Sequence, residues 1–164
     1  MQQMKGVRLW PEGPLWAECN LRADCPENPG GYFAWGETEG KQLFGRERYA
    51  GTSDDAAAAI LGEGWEMPSE QDFMELKARC KWVWTEKNGY PGYEVTGECG
   101  SIFLPAGGYV SGNRHRHAGG VGQYWTSDAA AQGSAREFWF TSESTGSCYD
   151  RGRDNGLPIR AIKH

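Results

Sequence analysis

In the last third of the chain, aromatic runs of strand length alternate with polar, glycine-rich stretches, and this pattern constrains the fold more than any other feature. Gln123-Tyr124-Trp125-Thr126-Ser127, Glu137-Phe138-Trp139-Phe140-Thr141 and Leu157-Pro158-Ile159-Arg160-Ala161-Ile162 read as strands, being short and rich in aromatic or β-branched residues. The stretches Ser111 to Gly120 and Ser144 to Gly156 read as irregular polar loops. Rigid strands carrying chemically mixed loops suit a scaffold that presents a surface. Aromatics make up 13% of the 164 residues, hydrophobic residues only 38%, and there are 24 glycines. Such a chain must build its core from a few large side chains on short strands, so a helical bundle is excluded.

The upstream half supplies the remaining elements. Val7 to Trp10 and Leu15 to Asn20 are short strand candidates, with Pro11, Gly13 and Pro14 turning the chain between them. Tyr32-Phe33-Ala34-Trp35-Gly36 is an aromatic run bound for the core, and residues 37–53 are polar and irregular. Asp54 to Leu61 has helical character: Ser53 or Asp54 can cap it, alanines favour it and Gly62 can end it. Trp65 to Pro68 is extended. Ser69-Glu70-Gln71-Asp72 resembles a capping box with Asp in the third position, opening a helix to about Cys80 whose Phe73, Leu76 and Cys80 share one face. Lys81 to Thr85, Tyr93 to Thr96 and Ser101 to Pro105 read as strands, the first two joined by a loop containing Asn88-Gly89 and Pro91-Gly92. No linker, repeat or low-complexity segment divides the chain, which predicts a single domain over residues 1–164.

The net charge is −5, which argues against a general nucleic-acid binder, since such proteins need a broad basic footprint. No apolar run reaches transmembrane length, and no secretory signal is visible. The five cysteines, Cys19, Cys25, Cys80, Cys99 and Cys148, show neither a CxxC nor a zinc-knuckle spacing. Free thiols are the preferred reading, with Cys19–Cys25 or Cys80–Cys99 bridges as the alternatives.

Several motifs in a fixed order carry a family resemblance. They are Leu15-Trp16-Ala17-x-x-Asn20, Gly31-Tyr32-Phe33-Ala34-Trp35-Gly36-Glu37-Thr38, Trp65-x-Met67-Pro68-Ser69, and Cys80-x-Trp82-x-Trp84-Thr85. Further along come Gly92-Tyr93-x-Val95-Thr96-Gly97, Ser101 to Tyr109, Tyr124-Trp125-Thr126-Ser127 and Pro158-Ile159-Arg160-Ala161-Ile162. From about residue 15 to residue 162 the chain resembles the Fibrobacter succinogenes major paralogous domain family, a branch of the C-type-lectin fold. The broader group includes formylglycine-generating-enzyme-like domains and the variable proteins of diversity-generating retroelements. In the latter, an error-prone reverse transcriptase rewrites codons near the C-terminus and the altered residues line a ligand-binding face. The resemblance implies an α+β, C-type-lectin fold with adjacent N- and C-termini, two helices, a twisted antiparallel sheet and long loops. It also implies a virion, cell-surface or extracellular location.

On that reading the ligand face is formed by residues 111–124 and 144–156. Its candidate residues are Ser111, Asn113, Arg114, His115, Arg116, His117, Tyr124, Ser147, Cys148, Tyr149, Asp150, Arg151, Arg153 and Asn155. Tyr and Arg give large contacts at modest entropy cost, and Ser and Asn adapt their hydrogen bonds. Many of these types are reachable by mutating adenines in Asn-type codons. The expected partner is a protein or cell-surface ligand, including a glycan; the local basic excess suits an acidic protein or an anionic glycan. Other chemistries have less behind them. A calcium-dependent sugar site needs converging oxygen ligands, and Pro26-Glu27-Asn28 and Asp150-x-x-x-Asp154 do not supply the sugar-binding motifs. His115 and His117 would share a strand face and begin a metal site, but a third ligand is not evident and Arg114 and Arg116 repel a cation. Cys148 lacks a paired base or second thiol at a known spacing. The expectation is a binding domain with no enzyme activity, cofactor, metal, nucleic-acid partner or membrane insertion. A fixed adhesion or glycan-binding domain, a formylglycine-generating-type enzyme and a structural surface module are the alternatives.

Overall fold

The structure, a computed structural model, describes residues 3–38, 55–62 and 64–164. Among the described residues, twelve strands and two helices run in the order β1 (Gly6–Arg8), β2 (Leu15–Ala17), α1 (Ala56–Leu61), β3 (Trp65–Glu66), α2 (Glu70–Arg79), β4 (Lys81–Lys87) and β5 (Tyr90–Thr96). They continue with β6 (Ser101–Pro105), β7 (Tyr109–Ser111), β8 (Arg114–Arg116), β9 (Val121–Ala129), β10 (Ser134–Thr141), β11 (Ser144–Gly152) and β12 (Ile162–Lys163). Every pairing is antiparallel, giving sheets ordered β1-β2-β12-β3, β11-β10-β9 and β4-β5-β6, and a β7-β8 hairpin. The architecture is of the α+β class, strand-rich with two helices. Strand β12 lies between β2 and β3, with Ile162 opposite both Trp16 and Glu66, so the N- and C-terminal strands share one sheet. Among the described residues no helix is long and apolar enough to cross a membrane.

The helices form where local chemistry directs. Ser69 and Asp72 make a reciprocal capping box: Ser69 Oγ accepts from the Asp72 amide at 3.0 Å, and Asp72 Oδ2 accepts from the Ser69 amide at 2.8 Å. This satisfies two of the donors that a helix start leaves free. The expected caps of α1, Ser53 and Asp54, lie outside the described residues; Asp55 is the cap, accepting from the amides of Ala57 and Ala58. The second oxygen of Asp55 accepts from the Met67 amide at 2.9 Å, tying α1 to the extended segment that follows it. Gly62 ends the helix at φ 94°, as its lack of a Cβ permits.

The middle sheet departs from expectation at one turn. Asn88 and Gly89 both have positive φ and form a two-residue hairpin. Pro91 and Gly92, expected in that loop, instead lie within β5, opposite Glu86 and Thr85. The run 157–162 is strand only at its end. Residues 157–161 are held by isolated backbone bonds outside any ladder: Leu157 exchanges a pair with Phe33, while the Ile159 and Ala161 carbonyls accept from the Leu21 and Ala17 amides.

The sheet β11-β10-β9 lies between two apolar clusters. Its first face carries Tyr124, Phe138 and Phe140, which join Phe73 and Leu76 of α2 and Trp16, Tyr93 and Val95. Phe73 stacks on Phe138 with centroids 4.6 Å apart and ring planes 5° from parallel. Burial of such a ring stabilises by about 1.5–3 kcal/mol. At Gly122 only glycine fits, because a Cβ would overlap the Phe140 ring. The second face contributes Trp125 and Ala135 to a cluster with Leu21, Phe33, Ile60, Leu157 and Ile159. Arg160 is fully buried nearby: Nε donates to Asn20 Oδ1 at 2.6 Å, and the other nitrogens donate to the carbonyls of Phe103 (2.7 Å) and Ala17 (3.2 Å).

Candidate binding face

The segment Ser144 to Gly156, expected to be an irregular loop, is strand as far as Gly152. Its Ser, Gly, Asp and Arg residues have little intrinsic strand preference, but five of them, with Cys148 and Tyr149, pair with β10, and sheet context overrides propensity. Being strand, it separates the expected site residues by the period-two alternation of side chains. Ser147, Tyr149 and Arg151 stand on the second face, in register with Trp139, Glu137 and Ala135. Cys148 and Asp150 point to the opposite side with Phe138 and Arg136.

Cys148 and Asp150 therefore leave the expected ligand face. Arg136 bridges Glu70 of α2, at 2.9 and 3.2 Å, and Asp150, at 2.7 Å, and also donates to the Cys148 carbonyl. The hydrogen bond from Arg136 holds the Glu70 carboxyl below its ordinary range. Cys148 packs against the first cluster, and burial, helped by the negative charge of Glu70, pushes its thiol up to about 12. At neutral pH it is a protonated thiol and a poor nucleophile. All five cysteines are free, so neither alternative bridge is formed.

Tyr124 also departs from expectation. It is 0% exposed and faces the core; its hydroxyl donates to the Pro105 carbonyl at 2.9 Å and accepts from Asn20 Nδ2 at 3.2 Å. It is a buried structural residue, on the face of β9 opposite Trp125.

The glycine-rich stretch from Ser111 is a hairpin. Tyr109, Val110 and Ser111 of β7 stand opposite Arg116, His115 and Arg114 of β8. Asn113, Arg114, His115, Arg116 and His117 are exposed, and Ser111 is half-buried. Val110 fixes the hairpin to the body through a reciprocal pair of backbone bonds with Gly156, both 2.8 Å. The two histidines do not share a face. His115 lies on the Val110 side, its ring edge-on to Tyr32 at 4.8 Å and its Nε2 2.8 Å from the Gly107 carbonyl. His117 follows the strand with φ 62°, which turns its ring to Tyr109 at 5.9 Å on the other side. Among the described residues no three His, Cys, Asp or Glu side chains converge as a metal-ligand set.

The two segments singled out by composition meet at Tyr109. The Arg151 guanidinium lies over the Tyr109 ring at 4.6 Å, the ring that His117 also flanks. Arg151 is in turn held by Glu137, through two hydrogen bonds of 3.1 Å. Glu137 is 1% exposed, and burial pushes its carboxyl above the ordinary range against the pull of Arg151. Gln123 donates to the same carboxylate at 3.2 Å, while its own Oε1, also buried, has no hydrogen-bond partner. Tyr149 is 51% exposed and meets Trp139 edge-on at 6.0 Å. Arg153 stacks over Trp35 at 4.5 Å and donates to the Ser134 carbonyl, and Asn155 donates to the Gly152 carbonyl. Both are anchors at the margin of the face.

Sequence reasoning read Gln123, Glu137 and Trp139 as strand residues and named none of them as a contact, although Gln123 lies within the expected 111–124 face. The signal that separates them was present: in Glu137-Phe138-Trp139-Phe140 the first and third residues alternate out of phase with the buried phenylalanines. The face thus has a polar, ion-paired floor, an aromatic margin and an exposed basic hairpin. Comparison with protein-family models, with curated proteins and with solved structures finds no match for this chain.

Proposed function

We propose that the chain is a ligand-binding domain of the C-type-lectin type, displaying diversified residues as the variable proteins of diversity-generating retroelements do. The observation that carries this reading is the meeting of two distant polar segments on one side of a tightly packed sheet. Asn113 to His117 and Tyr149 expose mixed side chains there, while the backbone beneath is fixed by β9–β10–β11 pairing and the Val110–Gly156 bridge. Substitution at such positions changes the surface without disturbing the core. The shared sheet of β2 and β12, the two helices and the buried Arg160–Asn20 contact support the lectin-type fold and the resemblance to the Fibrobacter succinogenes major paralogous domain family.

In this reading the domain works at a virion or cell surface, binds a protein or cell-surface ligand noncovalently, and needs no cofactor or metal. It catalyses no reaction; the protonated Cys148 thiol on the α2 side supports that part of the reading. The test is genomic. A near-copy of the segment encoding the C-terminal third, differing at adenines, should lie beside the gene together with a reverse-transcriptase gene. Absence of both refutes diversification and leaves a fixed binding surface.

A further inference from the structure

We infer that the exposed basic side of the β7–β8 hairpin, with Tyr149 and Arg151 of β11, docks an acidic protein surface. The inference rests on the binding-domain reading and names the chemistry of its partner. Arg114 and Arg116 are two apart on β8, and their cross-strand partners are Ser111 and Tyr109. Opposed residues of an antiparallel pair share a face, as do residues two apart. Both arginines therefore stand on the side of the hairpin where Tyr109 meets Arg151.

Most other described arginines are engaged internally. Arg136 binds Glu70 and Asp150, Arg151 binds Glu137, Arg153 lies on Trp35 and Arg160 is buried on Asn20 and carbonyls. Arg114 and Arg116 are exposed and make no ion pair among the described residues. No carboxylate occurs between Gly107 and Ser127, in a chain whose net charge is −5. Two unneutralised cations on an acidic protein mark a local exception, and they complement a negative surface. The confined size of the patch decides against nucleic acid, because the acidic remainder of the chain would repel an extended polyanion. Arg and Tyr beside Trp139 are also the side-chain types that dominate protein–protein contacts.

The test measures fluorescence anisotropy of a labelled peptide rich in Glu, Asp and Tyr, with a Lys-rich peptide and sulfated dextran as comparison probes. The acidic peptide is expected to bind. Its affinity should fall roughly tenfold in the Arg114→Ser/Arg116→Ser double variant and on raising the salt from low to physiological strength. The double variant should keep the parental melting temperature, since neither side chain has an ion-pair partner among the described residues. No binding of the acidic peptide, equal binding of the Lys-rich peptide, or no loss in the double variant overturns the inference. Tighter binding of sulfated dextran through the same two arginines also overturns it, assigning the face to an anionic polysaccharide. The genomic repeat tests diversification separately, so failure of either claim is distinguishable from failure of the other.

Discussion

Tyr124 and Tyr149 stand on the two outer strands of the same three-stranded sheet, and replacing each tests whether the face is separable from the fold. Tyr124→Phe removes a hydroxyl that is fully enclosed, leaving the Pro105 carbonyl without its 2.9 Å donor and one Asn20 amide hydrogen without its 3.2 Å acceptor. A buried group left unsatisfied costs about 1–3 kcal/mol. Asn20 keeps its 3.0 Å bond to the Pro29 carbonyl, so the amide side of the loss is partial and about 2 kcal/mol in total is expected. For a domain of this length that corresponds to roughly 4–8 °C in melting temperature. Tyr149→Ser removes a half-exposed ring whose one described ring contact is the Trp139 edge, so its cost should stay within about 0.5 kcal/mol. Guanidinium unfolding at pH 7, followed by tryptophan fluorescence, measures both. Equal destabilisation by the two substitutions, or none from Tyr124→Phe, would refute the division into a core that cannot vary and a face that can.

Two further outcomes follow from the titrating groups. Native-state alkylation at pH 8 should modify exposed Cys99 first and leave Cys148 protected, because a thiol near 12 is only about 0.01% thiolate at that pH; mass spectrometry giving comparable rates at the two sites would contradict the burial of Cys148. The Glu70–Arg136 pair lowers the folded-state pKa of Glu70, so its stabilisation is present above the unfolded value, about 4.3, and is lost as pH falls through the folded value. Glu70→Gln should therefore narrow the stability difference between pH 6 and pH 3, and an unchanged acid limb would show that the pair contributes nothing.

Much of the scaffold was legible because its signals are local. The Ser69–Asp72 capping box, the Gly62 stop, the Asn88-Gly89 turn and the alternating aromatics of β10 each need only neighbouring residues. What failed depended on distant partners. Ser144 to Gly152 looks like a loop in isolation and becomes strand only against β10, and that pairing then sorts Cys148 and Asp150 away from Tyr149 and Arg151. Tyr124 reads as a contact residue until Asn20 and Pro105 arrive to enclose its hydroxyl. Pro91, a turn former by composition, sits in β5 with its carbonyl taken by the Ala106 amide. Of the candidate face, the hairpin arginines, His117 and Tyr149 could be found from composition. The Gln123–Glu137–Arg151 floor required the register.

The insertion of β12 between β2 and β3 also sets the order in which the molecule can be made. Trp16 cannot complete its sheet until Ile162 has been synthesised, so every strand from β3 to β11 must emerge before β2 and β12 lock. Pairings of such sequence separation are entropically late and slow. Until then Leu9, Trp16 and the second-cluster side of Trp125 lack their full cover, and the nascent chain is exposed to misassociation. The hairpin bearing Arg114 and Arg116 pairs with none of β2, β3 and β12. On the proposed reading, versions of the chain that differ only at Asn113 to His117 and Tyr149 would share one folding route and one point of greatest risk.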